Sequence, residues 1–243
     1  MSILKQKNES FTDYISRVKY GVLRRVVPSL REQHRLGEMV GPARYWSELQ
    51  TFQFNFLKKM GLKPHHTLLD IGCGPLSGGL VFIPYLESEK YVGVDIRPGA
   101  IAEAHIQVAK AGLADKNPLL LVSESFGRDE MGCERKFDYI WMTQLFCHLN
   151  ENVLNNCLKT VADYMTSDSR FYGDILGYPN EVWEKPGLKW QEFTFYLHSL
   201  ESIESVAEKY GLKVTCLGEI EKYGYPVGVG GLKNNKMLEF RRK

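Results

Sequence analysis

The stretch LLDIGCGP, residues 68–75, decides how the rest of the chain is interpreted. A short apolar run leads into two glycines one residue apart, which is typical of a buried strand that enters a tight turn. The next apolar run, YVGVD at residues 91–95, ends in Asp95, 21 residues after Gly74. An acid at this distance from a strand, a glycine turn and a helix is placed to accept hydrogen bonds from ribose hydroxyls. The stretch therefore predicts a nucleoside-binding turn.

The residues around the two glycines indicate which kind of nucleoside is bound. Pro75 removes a backbone N–H from the turn, where the pyrophosphate of a dinucleotide would need donors. Asp70 would repel a pyrophosphate but suits a ligand that carries an ammonium group. The sixth position of the dinucleotide fingerprint holds Ser77 instead of glycine or alanine. The turn therefore favours a nucleoside with a positively charged end over a nicotinamide dinucleotide.

Apolar runs alternate with helical segments beyond this turn. Strands are predicted at residues 67–71, 91–95, 119–122, 137–142, 170–176, 212–220 and 236–242. Helices are predicted between them at residues 80–86, 98–112, 151–165 and 200–210. Such alternation indicates a parallel sheet with helical crossovers, but no helix separates the last two strands, which must pair as a hairpin. The predicted fold is α/β, a doubly wound and mainly parallel seven-stranded sheet with one antiparallel edge strand from the terminal hairpin.

The chain before the first strand has a different pattern. Residues 1–40 look helical and basic, interrupted by Pro28, and residues 43–60 carry apolar side chains at three- and four-residue steps. We expect residues 1–62 to form an N-terminal helical cap and residues 63–243 to form the α/β domain. Within that domain, residues 176–198 join the fifth strand to the last helix and would form a lid at the carboxyl edge of the sheet.

Composition limits the classes of protein and of partner. The 243 residues carry 31 basic and 29 acidic side chains, and the net charge of +2 is too small for a nucleic-acid footprint. The five cysteines are odd in number and lack a C-x-x-C pair, so free thiols and no metal site are expected. The start is polar, and no stretch approaches the roughly 18 apolar residues of a membrane span. We expect a cytoplasmic protein with neither nucleic-acid nor membrane partners.

The motifs of the chain resemble those of class I S-adenosylmethionine-dependent methyltransferases, in particular the bacterial enzymes that act on small molecules. LLDIGCGP and YVGVDI are similar to the first two motifs of that family, and FDYIWMTQLFCHL at residues 137–149 is similar to its fourth-strand motif. YLHSLESIESVAEKYGLKV at residues 196–214 is similar to its late helix and sixth strand. The resemblance covers about residues 65–243 and implies a Rossmann-like fold, S-adenosyl-L-methionine as cofactor and methyl transfer as activity.

The resemblance implies how the glycine turn would meet this cofactor. Gly72, Cys73 and Gly74 would pass under the methionine part. Asp70 would reach the amino group of the cofactor, directly or through water.

The resemblance also implies contacts to the nucleoside and to the reacting centre. Asp95 would hold the ribose hydroxyls, with Ile96 against the adenine. Glu124 or Ser125, which follow the third strand, would contact the adenine amino group. Gln144, just past the fourth strand, would lie beside the reacting centre.

One histidine is a candidate for proton transfer. Methyl transfer needs a base only when the acceptor is a hydroxyl or a protonated amine. His148 follows the fourth strand at its carboxyl end, so the fold would turn it toward the cleft; the alternative is a structural histidine at the start of the next helix. The chain lacks the N/D-P-P-Y/W motif of amino-methylating nucleic-acid enzymes and the Pro-Cys nucleophile of cytosine-5 enzymes, which favours O-methylation.

Aromatic residues are concentrated in the predicted lid. Six lie within residues 176–196, although aromatic residues make up only 12% of the chain. An aromatic-walled lid suits a ring-shaped or sugar acceptor, and the alternative is a satellite core that pins the loop down. The candidate acceptor-binding residues from the N-terminal helix, the lid and the hairpin loop are Tyr45, Trp46, Trp183, Trp190, His198, Tyr223 and Tyr225.

Two other functions stay open at the level of sequence. A nicotinamide-dependent oxidoreductase would use a similar turn, although Pro75, Asp70 and the terminal hairpin disfavour it. A non-catalytic nucleoside-binding module could keep the same fold, because fold alone does not define activity. The leading hypothesis is a methyltransferase that acts on a small-molecule acceptor.

Overall fold

A computed structural model describes residues 11–39, 43–132, 134–176, 189–190, 193–194, 196–226 and 234–243. Three helices precede the first strand: α1 Phe11–Val26, α2 Pro28–Gly37 and α3 Trp46–Lys59. The elements that follow are β1 Leu68–Ile71, α4 Gly79–Tyr85, β2 Tyr91–Asp95, α5 Pro98–Lys110, β3 Leu119–Val122, α6 Arg128–Met131, β4 Tyr139–Met142, α7 Glu151–Tyr164, β5 Arg170–Ile175, β6 Lys189–Trp190, β7 Phe193–Thr194, α8 Leu200–Lys209, β8 Leu212–Glu219 and β9 Lys236–Arg242.

Seven of the strands form one sheet in the order β3-β2-β1-β4-β5-β9-β8. Strands β1 to β5 pair in parallel, whereas β9 runs antiparallel to both β5 and β8. The terminal hairpin is therefore confirmed, but its antiparallel strand is not the edge strand. Because β9 pairs with β5, it lies one place inside the sheet and leaves β8 at the edge. The strand order reverses between β1 and β4, and ligands of such sheets bind outside the carboxyl ends at that point.

Burial along the strands explains their order. Strands β1, β2 and β4 are buried throughout, whereas β3 and β8 at the two edges have exposed positions. Along β4, Ile140 and Met142 join a core that α7 and α8 cover, and Trp141 joins a second core that α3, α4 and α5 cover. The same alternation turns Asp70 of β1 and Asp174 of β5 toward the α3 side of the sheet.

The helices before β1 are attached to the sheet in two ways. Helix α3 is a layer of the core, because its aromatic side chains Phe52 and Phe56 pack among those of the sheet and of α4. Helix α2 docks on α5 through a two-pronged ion pair, in which Arg35 Nη2 and Nη1 lie 2.6 and 2.9 Å from the Glu103 carboxylate oxygens. Hydrogen bonding to Arg35 lowers the pKa of Glu103. In packing terms, α3 belongs to the α/β unit, and α1 and α2 form the attached part.

The described part of the chain has no helix that is long and apolar enough to cross a bilayer. The same residues contain no cluster of histidine, cysteine and acidic side chains that could hold a metal ion. Cys73, Cys147, Cys157 and Cys216 all carry free thiols.

Candidate functional site

The turn after β1 follows a path that favours glycine. Gly72 and Gly74 have φ angles of +75° and +53°, which glycine adopts at little cost. A Cβ atom at Gly72 would stand 3.1 Å from Cδ2 of Leu145. The N–H groups of Gly72 and Cys73 both donate to the Val94 carbonyl, at 2.8 and 3.1 Å. The turn is therefore pinned between the end of β2 and the loop after β4.

Cys73 directs its side chain away from the carboxyl edge. The residue is 4% exposed, and a Cβ atom at Gly93 would stand 2.9 Å from its sulfur. Burial in this core raises the pKa of the thiol well above its ordinary value. The implied contact of Cys73 with the cofactor can therefore come only from its backbone.

Asp95 joins the glycine turn to the end of β2. Its Oδ2 accepts the N–H of Gly74 at 3.0 Å, so the two halves of the sequence pattern meet in space. Arg97 grips the same carboxylate: Nε lies 3.0 Å from Oδ1, Nη2 lies 3.1 Å from Oδ2, and the backbone N–H donates to Oδ1 at 2.9 Å. A carboxylate offers about four acceptor positions, and all four are used. Ribose hydroxyls would bind Asp95 only by replacing the guanidinium.

Arg97 also reaches the N-terminal helices. Its Nη1 donates to the Met39 carbonyl at 2.6 Å, two residues after α2 ends at Gly37. The side chain keeps 30% of its surface exposed, so it has room to move into solvent. Nothing in the sequence pattern predicted this partner for Asp95.

Asp70 lies beneath the turn instead of at its surface. It is 4% exposed, and the Tyr91 hydroxyl donates to its Oδ2 at 2.6 Å. Burial raises the pKa of Asp70 to about 7, against the lowering effect of that hydrogen bond. A nearby ammonium group would favour the ionised form, which agrees with the predicted role of Asp70 toward a cofactor amino group.

Gln53 of α3 supports the turn from the opposite side and was missed by the sequence analysis. The residue is 4% exposed, and its Nε2 donates to the Ser77 hydroxyl at 3.2 Å. Its Oε1 accepts the indole N–H of Trp141 in β4 at 2.9 Å. A Cβ atom at Gly78 would stand 2.6 Å from the same oxygen. The amide therefore ties α3, the turn and β4 together.

The predicted adenine side lies at the ends of β2 and β3. Ile96 directly follows Asp95 and is 56% exposed, which is unusual for an apolar side chain and fits a surface that a ring would cover. Glu124 is exposed near the end of β3. The Ser125 hydroxyl accepts the N–H of Asp129 at 3.0 Å, so it is partly engaged by α6. Of the two predicted adenine contacts, Glu124 is the more accessible.

The carboxyl ends of β4 and β5 carry a compact polar cluster. Asp174 of β5 is 2% exposed and accepts the Thr143 hydroxyl at 3.0 Å and the Gln144 N–H at 2.7 Å, both at Oδ1. The side-chain amide of Gln144 donates to Oδ2 of the same carboxylate. Burial raises the pKa of Asp174 to about 6. Asp174 was not among the predicted site residues, although it interrupts the apolar run of its strand.

The segment of His198 is hydrogen-bonded to the segment of His148 at this edge. His148 is half-buried and ends a short 3₁₀ helix over Phe146–His148. The Tyr196 N–H donates to the Cys147 carbonyl at 2.7 Å, and His198 Nε2 lies 2.7 Å from the Leu149 carbonyl. Because a carbonyl only accepts, Nε2 of His198 carries the proton. Residues 196–198 therefore fix the backbone on both sides of His148.

The described acceptor candidates are largely engaged in packing. Trp46 is 4% exposed, and the Arg44 guanidinium lies 4.4 Å from the centroid of the Tyr45 ring. The Tyr223 hydroxyl donates to the Leu217 carbonyl at 3.1 Å. Tyr225 is 6% exposed, with its ring edge-on to Phe52 of α3. Trp46 and Tyr225 therefore occupy core positions and Tyr223 packs on Phe56 of α3, whereas Tyr45 is half-buried.

The predicted acceptor-binding residues of the lid lie in a part of the chain that is mostly outside the described residues. Trp183 lies outside the described residues. The backbone of Trp190 is in the short hairpin of β6 and β7, but its side chain is also outside the description. Both stay predictions.

The residues at this edge of the sheet fit an adenosyl cofactor with an amino-acid tail. The carboxylate of Asp95, the candidate for the ribose hydroxyls, stands beside the glycine turn and is joined to it by the hydrogen bond from Gly74. The exposed Ile96 offers a surface for the base, and the buried Asp70 offers a counter-charge for an ammonium group. The arrangement fits a nucleoside that carries an ammonium group, bound at the carboxyl edge of a Rossmann-like sheet.

A family model described as a methyltransferase domain matches residues 69–171. This range begins with β1 and ends in β5, so it contains the glycine turn, Asp95 and the β4 loop. A search of the curated proteins finds no match.

Solved structures share the fold at low sequence identity. Magnesium protoporphyrin IX methyltransferase from Synechocystis PCC 6803, with bound S-adenosylmethionine, superposes with a TM-score of 0.60 at 14% identity, covering 98% of this chain and 100% of its own. The CcbJ methyltransferase from Streptomyces caelestis gives 0.61 at 10% identity, covering 80% and 96%. The glycopeptide N-methyltransferase MtfA, complexed with S-adenosylmethionine, gives 0.58 at 10% identity, covering 79% and 94%.

Sheet order, cleft and family model agree on one class. Residues 69–171 form a methyltransferase domain, and the sheet that contains them has the Rossmann-like order shared with S-adenosylmethionine-dependent methyltransferases of class I. Two of these structures hold S-adenosylmethionine, which agrees with S-adenosyl-L-methionine as the cofactor and disfavours the nicotinamide-dependent oxidoreductase.

Proposed function

We propose that this methyltransferase methylates an oxygen atom of a ring-containing small molecule, such as a sugar or a natural product. When bound, S-adenosylmethionine supplies a methyl group on a positively charged sulfur. The chain then has to orient the acceptor, exclude water and take up the proton that the acceptor oxygen loses. The observation that carries the proposal is the position of His148 at the carboxyl end of β4.

His148 is suited to receive that proton. Its 3₁₀ helix begins one residue after Leu145, whose side chain packs on the glycine turn. Hydrogen bonds to the carbonyls of Cys147 and Leu149 hold the backbone on either side. The backbone at His148 therefore keeps one position relative to the glycine turn, and general-base catalysis would require the imidazole to reach the acceptor hydroxyl from there. The acceptor hydroxyl would give its proton to the neutral imidazole as its oxygen takes the methyl group, with the sulfur–methyl bond of the cofactor broken and neutral S-adenosylhomocysteine as the leaving group.

The acceptor would lie against the same edge. Among the described aromatic candidates, Tyr45 is half-buried and directly precedes α3, and Trp183 and Trp190 of the lid are the further candidates for its walls. Aromatic faces suit both flat rings and the apolar faces of sugars.

An acceptor screen with methyl-labelled S-adenosylmethionine tests the proposal. Three sets of compounds, namely phenols with sugars, amines and carboxylic acids, are compared by transfer of label to product. We expect transfer to the first set, as a base-stable ether. Label found only in amines or in base-labile esters would contradict O-methylation of a hydroxyl. No label in any set would leave the non-catalytic module as the better hypothesis.

Substitution of His148 tests the proton transfer with the acceptor so identified. We expect His148→Gln to lower kcat by roughly 10²–10⁴, the usual contribution of a positioned base, because glutamine keeps a hydrogen bond but takes no proton. The wild-type rate should rise with pH as the imidazole loses its proton, and the variant should lose that rise. His105→Gln, at an exposed site on α5, is the matched control. A variant with kcat within tenfold and an unchanged pH profile would make His148 structural.

A further inference from the structure

The polar cluster at the ends of β4 and β5 is a clamp on one residue, Gln144. The carboxylate of Asp174 accepts three hydrogen bonds, and two of them come from the backbone and the side chain of Gln144. The third comes from the Thr143 hydroxyl. Asp174 is only 2% exposed, so these donors take the place of water around the charge.

Gln144 has a backbone conformation that needs such a clamp. Its φ angle is +54°, in the left-handed region that a residue with a side chain seldom adopts. Charge-assisted hydrogen bonds from the same residue to a buried carboxylate are strong enough to hold it there. Backbone strain that its surroundings over-determine in this way is typical of functional sites.

The hydrogen bonds to Asp174 also determine which atom of the Gln144 side-chain amide faces the cleft. An ionised carboxylate only accepts hydrogen bonds, so the nitrogen of the Gln144 amide must face Asp174. The amide oxygen is left as the group directed away from the carboxylate. The side chain is half-buried, so this oxygen has access to the open edge of the sheet.

The location of Gln144 makes that orientation relevant to the cofactor. It follows β4, which pairs with β1 where the strand order reverses. Its neighbour Leu145 packs against Gly72 of the turn. The glycine turn that follows β1 lies between the end of β2 and the loop after β4. A cofactor whose ribose lies at Asp95 of β2, and whose other end crosses this turn, therefore extends toward the loop after β4.

We infer that Asp174 is a positioning residue that turns the amide oxygen of Gln144 toward the sulfonium of the cofactor. The inference rests on the methyltransferase function and on ribose binding at Asp95. The negative end of an amide dipole stabilises a positive sulfur and gains nothing from the neutral sulfur of S-adenosylhomocysteine. The clamp therefore contributes to preference for substrate cofactor over product cofactor.

Asp174→Asn tests this orientation without removing the hydrogen bonds. The oxygen of the introduced asparagine can still accept from Thr143 and from the Gln144 N–H, but its amide nitrogen now faces the Gln144 nitrogen, donor against donor. The Gln144 amide must flip, which presents its NH₂ group to the cleft. We expect the dissociation constant for S-adenosylmethionine to rise about tenfold relative to that for S-adenosylhomocysteine, as measured by calorimetry at pH 8.

A double substitution provides the rescue. In Asp174→Asn with Gln144→Glu, one glutamate oxygen accepts from the asparagine nitrogen and the other faces the cleft, and the total charge equals that of the wild type. The preference for S-adenosylmethionine should return at least to the wild-type ratio. If Asp174 had only a structural role, there would be no reason for the double substitution to restore the preference for S-adenosylmethionine.

The matched control is Asp138→Asn at the opposite edge of the sheet. Asp138 accepts both the N–H and the hydroxyl of Thr67, at 2.7 and 2.8 Å, just before β4 begins. Its substitution should leave the ratio unchanged. An unchanged ratio in Asp174→Asn, or a lowered ratio that the double variant does not recover, would overturn the inference while the function stands. A wild-type chain that bound neither ligand would overturn both.

Discussion

The two ends of the cleft hold a buried carboxylate in different ways. At the β1–β2 end, Asp95 is gripped by the long side chain of Arg97, which is partly exposed and can be replaced. At the β4–β5 end, Asp174 is surrounded by neutral donors from two consecutive residues of one loop. The comparison teaches that burial alone does not define the role of an acid. An acid whose partner can be displaced can bind a ligand, whereas an acid whose partners are fixed positions the residues around it.

The largest expected effect on cofactor binding tests whether Asp95 is the exchangeable acid. Asp95→Ala removes the acceptor for the ribose hydroxyls, and hydrogen bonds to a charged group contribute about 1.5–3 kcal/mol. The dissociation constant for S-adenosylhomocysteine should therefore rise by one to two orders of magnitude, as measured by calorimetry. Asp129→Ala, at an exposed acid of α6, should leave it unchanged. An unaltered affinity in Asp95→Ala would remove Asp95 from the ribose site.

A pH titration sharpens the comparison at Asp70. Its pKa is raised by burial to about 7, so below neutral pH the carboxyl is protonated and cannot attract an ammonium group. Raising the pH from about 5.5 to 7.5 ionises it, and the affinity for S-adenosylmethionine should increase about tenfold. Asp70→Asn should flatten this rise and bind weakly throughout.

The same titration separates Asp70 from Asp174. The pKa of Asp174 is raised to about 6, so part of the rise could come from the β4–β5 end. The part that persists in Asp70→Asn measures that contribution. A slope identical to that of the wild type would show that Asp70 does not meet the amino group.

The smallest expected effect concerns Arg97. If the guanidinium must leave Asp95 before ribose binds, Arg97→Ser should tighten cofactor binding by a few fold, since partly exposed ion pairs contribute at most about 1 kcal/mol. Serine is a preferred residue at the N-cap of α5, where Arg97 stands, so the helix start is retained. Arg128→Ser, which breaks the pair of Arg128 with Asp163, is the control. Weaker binding in Arg97→Ser would mean that Arg97 holds the cofactor instead of competing with it.

Much of the fold could be predicted from short-range pattern. The runs at 91–95 and 119–122 coincide with β2 and β3, because polar residues or proline precede both runs and Asp95 and Ser123 mark their carboxyl ends. Serine is a preferred residue at a helix N-cap, and the Ser199 hydroxyl accepts the Ser202 N–H at 3.1 Å at the start of α8. The position of β9 inside the sheet depends on pairing with β5, about 65 residues earlier, and no local pattern encodes that choice.

The residues of the site likewise divide into those that a local sequence pattern predicts and those that depend on distant contacts. The glycine turn and Asp95 were predictable because their spacing follows from one strand–turn–helix–strand unit. Gln53 was not, since its partner Trp141 lies 88 residues away. Asp174 could have been predicted, because it is an acid inside the apolar run RFYGDIL and a buried charge in a strand requires partners.

The hydrogen bond between Gln53 and Trp141 determines how far the chain can be truncated from its N-terminal side. The matched domain begins at residue 69, and a fragment starting there would lose only Leu68 from the strands of the sheet. It would also lose α3, and with it the acceptor for the Trp141 indole N–H and the aromatic layer over one face of the sheet. A buried donor without a partner costs about 1–3 kcal/mol, before the lost apolar packing is counted. The smallest autonomous unit therefore starts ahead of Trp46, and shuffling this enzyme with relatives should exchange segments upstream of α3 and leave the helix in place.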